Sequence, residues 1–193
     1  MNVTKLVTAA ATGAVAGAIG TLAMDLVWFR RARSAGSDDG FAEWEFSGDT
    51  TGFDDAGAPA QVGKRAASAV GAELAEESAG TVNDVVHWTT GTAWGVGGAL
   101  LAAVTGLNPF GAGLASGAAA FGAAYTVLPA LRIYEPIWEY DRTTVWKDAT
   151  AHATFGAAVG ATLTGAAALT AALRHRTAIT ASTVVGMAAS ARR

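Results

Sequence analysis

The sequence predicts an all-α fold, an integral membrane four-helix bundle, and three observations support this prediction. Hydrophobic residues make up 51% of the 193 residues, whereas charged residues make up only 15%. Four stretches without Asp, Glu, Lys or Arg approach or exceed the roughly 20 helical residues that cross a hydrocarbon core. A spacing of His, three residues, Gly, three residues, Gly occurs twice. A soluble helix would need a polar face, which these stretches almost lack.

The predicted spans cover residues 6–28, 85–105, 110–129 and 149–173 of a single membrane domain, residues 1–176. The first span could instead be a signal peptide, but its length and the three spans that follow favour an uncleaved helix. A turn at Asn108-Pro109 separates the second span from the third. We expect residues 177–193 to form a frayed or surface-lying tail, because the stretch is too short to cross a membrane.

A polar loop, residues 34–80, follows the first span. Its first half is acidic and rich in Gly and Ser, which predicts a loose, solvated segment. Its second half predicts a short interfacial helix that starts near Pro59 and ends near Glu77. Asn83 or Asp84 is the predicted cap of the second span. The aromatic and charged stretch 132–148 predicts an ordered interfacial loop.

Glycines recur at four-residue spacing in every predicted span. Residues four apart share a helix face, so a neighbouring helix can approach closely where side chains are missing. The first and third spans carry one Gly pair, and the second and fourth carry it after a histidine, which predicts two helical hairpins arranged as a parallel pseudo-repeat. The predicted packing residues are Gly13, Gly17, Gly91, Gly95, Gly113, Gly117, Gly156 and Gly160.

The predicted topology brings the histidines and their neighbouring acids to one side of the membrane. The first and third spans end on the side where the second and fourth begin. The residues this predicts as candidates for binding or relaying protons or ions are Asp25, Asp84, His87, Asp148 and His152. A count of Arg and Lys near the span ends favours this side as the cytoplasmic one.

Composition excludes several classes of function. The absence of cysteine excludes disulfides, thiolate metal sites and cysteine nucleophiles. A formal net charge of −3 offers no basis for nucleic-acid binding. No serine–histidine–acid or glycine-rich phosphate motif is present, so we expect no enzymatic activity. The expected partners are the lipid bilayer and a second copy of the chain in a homo-oligomer.

The order of elements resembles the YagU-like family of small bacterial inner-membrane proteins. The resemblance rests on Val86-His87-Trp88 with the glycines that follow, a third span that ends at Pro129, the Pro136-Ile137-Trp138 loop and a last span that opens with His152. It covers most of the chain between the first and last spans. The family places both termini in the cytoplasm, whereas the arginines after the first span favour the opposite orientation. The resemblance implies a multi-pass protein of the cell inner (plasma) membrane. The family has no established activity.

The histidines allow three interpretations. His87 and His152 could bind a metal or haem iron together, with Asp84 or Asp148 as hydrogen-bond acceptors behind them. They could pass protons or sense pH beside Asp25. They could also serve only to hydrogen-bond helix to helix. Asp25 is predicted to be a boundary residue, because arginines follow within two turns.

These interpretations define three classes of function. The first is a non-enzymatic structural or accessory membrane protein, without a cofactor, whose polar His and Asp face supports proton- or ion-dependent behaviour. The second is a haem- or metal-binding membrane protein that uses His87 and His152. The third is a small channel or transporter.

Overall fold

The computed structural model describes the backbone of residues 2–46 and 50–190, with side chains through residue 176. Regular structure in this part of the chain is entirely helical. Two short 3-10 turns, Glu76–Ser78 and Ile137–Glu139, accompany the α-helices. The α-helices are α1 (Val3–Ser34), α2 (Phe41–Glu45), α3 (Ala58–Ala69), α4 (Ala79–Thr105), α5 (Pro109–Ala130) and α6 (Arg142–Ser190).

Three of these helices are long and apolar enough to cross a membrane: α1, α5 and the part of α6 from Arg142 to Arg176. The predicted span 85–105 lies in α4, which is not among the three. Length is not the reason, because α4 has 27 residues. Its first half carries Thr, Gly, His and Trp, and none of these is as apolar as the Leu and Val of its second half.

Three predicted boundaries differ from the observed ones. Helix α4 begins at Ala79, so Asn83 and Asp84 lie inside its first turns and do not cap it. Helix α6 begins at Arg142, because the Asp141 carboxylate accepts the backbone N–H groups of Thr143 and Thr144 at 2.8 and 3.0 Å. At its other end the backbone of α6 stays helical through Ser190, so the helix extends well beyond the predicted end of the span at residue 173.

The polar loop is more ordered than the sequence predicts. Phe53 is fully buried with Ala60 and Ala79, and the ring of Phe29 on α1 packs against aromatic rings of α2. Helix α3 includes Pro59 in its first turn but ends at Ala69, earlier than predicted. It packs on α4. The prediction of a loose first half was wrong because scattered aromatic residues anchor an otherwise polar segment.

The four long helices pack in the cyclic order α1, α4, α5, α6, and α4 touches α6 only slightly. All eight predicted packing glycines lie where these helices meet, and a Cβ added at any of them would come within 3.0 Å of a neighbouring helix. At Gly95 the added atom would overlap the backbone of Gly17, and at Gly113 the backbone of Gly160. The α1–α4 and α5–α6 pairs are therefore in backbone contact.

The core between the long helices is small, and most buried positions of α1 and α5 are Gly, Ala, Ser or Thr. Ala16, Ala99, Phe155, Val159 and Leu163 form its buried cluster. Large aliphatic side chains lie instead on the outer surfaces of the helices. The exposed ones on the four long helices include Val7, Val15, Ile19, Leu22, Leu101, Val104, Leu114, Val127, Leu169 and Leu173. Many exposed aliphatic side chains on membrane-length helices are typical of a protein surrounded by lipid.

Polar contacts join the helices at two further points. The Ser116 hydroxyl of α5 donates to the Trp94 carbonyl of α4 at 2.6 Å. The Arg31 guanidinium of α1 donates to the Lys147 carbonyl and to the Thr150 hydroxyl of α6, both at 2.7 Å. The same guanidinium lies 4.8 Å from the centre of the Trp28 ring. The arginine-rich end of α1 is thereby fixed against the start of α6.

Candidate functional site

A cavity of about 460 Å³ lies between the four long helices and α3. Most of its wall is apolar, with Met24, Trp94, Leu128 and Phe155 among the larger side chains. Its ionisable side chains come from α1, α4, α6 and the loop after α5. They are Asp25, His87, Asp148, His152 and Tyr134. Both histidines of the repeated motif therefore lie on the wall of one cavity.

His87 is paired with an acid on a neighbouring helix. Its Nε2 lies 3.1 and 3.0 Å from the two carboxylate oxygens of Asp25. Asp25 itself is only 4% exposed, so the prediction that it is a boundary residue was wrong. Helix α1 continues beyond Asp25 to Ser34, and α2 packs back against α1. The arginines that suggested a boundary lie one to two turns farther along the helix.

His152 is paired with an acid on its own helix. Its Nδ1 lies 3.1 Å from Oδ1 of Asp148, one turn earlier, and 3.0 Å from the Asp148 carbonyl. The ring of Phe121 on α5 packs edge-on against the imidazole, with centroids 5.6 Å apart. The two histidines thus use different ring nitrogens and take their acids from different places.

Asp84 is the one proton or ion candidate that does not line the cavity. Its carboxylate accepts the Asn83 amide at 3.5 Å. The two histidines share a cavity, but each is held by its own carboxylate partner. Binding of one metal or haem iron by His87 and His152 together remains a prediction.

Glu45, which the sequence did not single out, completes a buried cluster with Asp25 and His87. One donor atom from each of these three side chains lies within 4.8 Å of the other two. Glu45 ends the five-residue helix α2 and is 8% exposed. One signal was present in the sequence, since Glu45 stands between Trp44 and Phe46, an aromatic setting unlike the rest of the loop.

The environment of Glu45 favours its neutral form. Burial is the main cause of this preference, and the nearby Asp25 carboxylate is the next. Together they raise the pKa of Glu45 from 4.5 to about 7, although the charge of His87 and the polar N–H of the Trp88 side chain act to lower it. Its Oε1 is buried without a hydrogen-bond partner, as is the indole nitrogen of Trp88. A buried carboxyl oxygen that lacks a partner carries a desolvation cost.

The raised pKa of Glu45 predicts a pH-dependent stability. Between 4.5 and about 7 the folded protein binds more protons at this group than the unfolded chain does. The contribution of Glu45 to stability is therefore fully present below pH 4.5 and is lost as the pH rises through about 7.

We expect the thermal midpoint of unfolding, measured in detergent with EDTA, to fall over this pH window in the wild type and to fall less in Glu45→Gln. Glu43→Gln, an exposed change in the same helix, should keep the wild-type profile. Superimposable profiles for wild type and Glu45→Gln would contradict the assignment.

Fold and site together define an all-helical chain with three candidate membrane-spanning helices and a buried histidine–carboxylate cluster beside a mainly apolar cavity. Comparison of the chain with family models, curated proteins and solved structures finds no significant match in any of the three. The resemblance to the YagU-like family therefore remains a prediction.

Proposed function

We propose that the chain is a four-span membrane protein in which α4 crosses the bilayer together with α1, α5 and α6. Helix α4 packs between α1 and α5, so it would share their depth in the membrane. Its second half presents Leu101 and Val104 on the outside, as the other helices present their aliphatic residues. Its ionisable residue His87 lines the internal cavity and is hydrogen-bonded to Asp25, so it does not face lipid alone. We place the protein in the cell inner (plasma) membrane, as the resemblance to the YagU-like family implies, with the side that carries most Arg and Lys in the cytoplasm.

The two hairpins support a parallel pseudo-repeat. Gly13 and Gly17 of α1 face Gly95 and Gly91 of α4, and Gly113 and Gly117 of α5 face Gly160 and Gly156 of α6 in the same antiparallel order. In each pair the histidine lies one turn before the second helix's glycines, so both histidines fall at the same end. The two hairpins differ in the acid that pairs with each histidine.

The position of α5 that corresponds to Asp25 of α1 is Tyr125, in the alignment that matches Gly13 with Gly113. An equivalent acid is therefore missing from α5. The imidazole of His152 takes its acid from Asp148 instead, on its own helix. In this proposal the repeat supplies a common framework, and the two histidine sites within it have diverged.

The function we propose for this framework is non-enzymatic, the binding of a small, mainly apolar molecule inside the membrane protein. The cavity carries this proposal. Its volume of about 460 Å³ falls within the roughly 300–1,000 Å³ typical of small-molecule sites. Apolar walls with a few convergent polar groups are also typical of such sites. The two histidine–carboxylate pairs provide hydrogen-bonding groups for one polar end of the ligand.

The binding proposal can be tested with N-phenyl-1-naphthylamine, an apolar aromatic amine whose fluorescence is excited by energy transfer from tryptophan. Trp28 and Trp94 line the cavity and serve as donors. In nanodiscs we expect a saturable transfer signal in the wild type. Ala124 lines the cavity, so the ring of Ala124→Phe should obstruct it and reduce the saturable signal at least tenfold.

Ala119→Phe provides the matched control. Ala119 lies on the exposed face of the same helix, so the added ring points away from the cavity and should leave saturable binding unchanged. Simple partition of the probe into lipid does not saturate. A linear, non-saturating signal in wild type, or equal saturable binding in Ala124→Phe and Ala119→Phe, would refute binding in this cavity.

A further inference from the structure

Asp25, Glu45 and His87 form a buried cluster of ionisable side chains, which the packing of helices in a membrane does not require. Two carboxylates, 4% and 8% exposed, lie together with one imidazole. The imidazole contacts Asp25. The Oε1 atom of Glu45 is buried and has no hydrogen-bond partner. The unsatisfied oxygen belongs to a carboxylate that already faces two other potential metal ligands.

We propose that Asp25, Glu45 and His87 bind one divalent transition-metal ion of the Zn²⁺ type. Carboxylates and imidazoles bind metals in their deprotonated forms, and in that state the three side chains carry a charge of −2, which a dication neutralises. One nitrogen and two oxygen donors suit Zn²⁺, whereas Ca²⁺ takes six to eight oxygen ligands and Mg²⁺ retains most of its waters. A fourth position remains for water, as in other zinc sites with three protein ligands.

The distances within the cluster are close to those of such a site. Zinc–nitrogen and zinc–oxygen bonds of about 2.0–2.2 Å place tetrahedral ligand atoms about 3.3–3.6 Å apart. The Nε2 of His87 already lies 3.0 and 3.1 Å from the Asp25 oxygens. The donor atoms of all three residues lie within 4.8 Å of one another. Small rotations of the three side chains would therefore bring their donor atoms to bonding distance from one ion.

The proposed ion also accounts for the position of α2. Its ligands come from three different elements: Asp25 from α1, Glu45 from α2 and His87 from α4. Helix α2 has only five residues and ends at Glu45, so a short helix of this kind has little stability of its own. A metal ion would fasten this segment to two long helices. His152 is not a member of this ligand set.

The test measures metal binding by the full chain in nanodiscs after treatment with EDTA and its removal. Titration calorimetry with Zn²⁺ and the visible absorption of bound Co²⁺ provide two independent readings. We expect one ion per chain in the wild type, and at least tenfold weaker binding in Glu45→Gln, which keeps the size of the side chain but removes its charge. Glu43→Gln, the exposed neighbour in α2, should bind as the wild type does.

Two further measurements keep the test decisive. Helical circular dichroism in EDTA should be the same in Glu45→Gln and wild type, so that lost binding reflects the ligand and not the fold. His152→Gln should leave Zn²⁺ affinity unchanged. Absence of stoichiometric Zn²⁺ binding, equal affinity in Glu45→Gln and wild type, or loss of Zn²⁺ in His152→Gln would each overturn the proposal. Glu45 does not line the cavity, so binding of N-phenyl-1-naphthylamine reports separately on the proposed function.

Discussion

Gly113→Ala is expected to destabilise the protein by about 3 kcal/mol, the upper range for inserting a methyl group into a closely packed interior. The added Cβ would overlap the backbone of Gly160 and come 2.7 Å from the Gly156 carbonyl oxygen. Backbone atoms cannot rotate aside, so α5 and α6 would have to separate along their whole contact. The measurement is the free energy of unfolding by SDS in mixed micelles.

Gly122→Ala is the matched control in the same helix. A Cβ added at Gly122 meets nothing within 4 Å, so only the helix propensity changes. Alanine is better than glycine in a helix by about 1 kcal/mol, and we expect this variant to be as stable as the wild type or slightly more stable. The pair Gly95→Ala and Gly97→Ala in α4 should repeat the contrast, because Gly97 also faces open space. Equal stabilities for Gly113→Ala and Gly122→Ala would show that α5 and α6 do not touch at Gly113.

His87→Leu is expected to cost about 3 kcal/mol of unfolding free energy at pH 8, measured with EDTA present, since a buried acceptor that loses its donor costs about 1–3 kcal/mol, and more when it is charged. The Nε2 of His87 contacts both oxygens of Asp25, and the Asp25 carboxylate is nearly inaccessible to water. Without the imidazole, Asp25 and Glu45 would face each other as two buried carboxylates. Leucine cannot hydrogen-bond to either carboxylate.

The double variant Asp25→Asn/His87→Leu tests this explanation. If the cost arises from an uncompensated charge, neutralising Asp25 should recover part of the lost stability, and the two changes should be non-additive by more than about 1 kcal/mol. His175→Leu, at an exposed position of α6 just beyond the predicted span, should be close to neutral. A double variant whose loss equals the sum of the single losses would argue against coupling between Asp25 and His87.

The long helices and their contact faces could be predicted from the sequence because both depend on local features. Long uncharged stretches predicted α1, α5 and the membrane-length part of α6, and four-residue glycine spacing marked the faces on which those helices meet. Pro129 lies next to the end of α5, as expected for a helix terminator. Features that depend only on the residues of one helix can be predicted without knowing which other helices pack against it.

The predictions that failed concern burial and long-range contact. Arginines near Asp25 suggested a boundary residue, but the acid is covered because α2 folds back on α1. Glu45 lies 20 residues away from Asp25 and 42 from His87 in the sequence, so no local pattern joins the three. The acidic loop was predicted to be loose since its mean composition is polar, yet a few aromatic anchors such as Phe53 order it.

The sequence by itself determined an all-helical chain with membrane-length apolar segments and glycine-lined faces, since hydrophobicity and periodicity act within one segment. It also determined that each repeated motif opens with a histidine. Only the tertiary structure decided which acid His87 meets, Asp25 across the helix pair, whereas the partner of His152 is Asp148, one turn away on the same helix. The reason is physical, because the pairing and burial of a charge depend on which other elements pack around it, and those elements are distant along the chain.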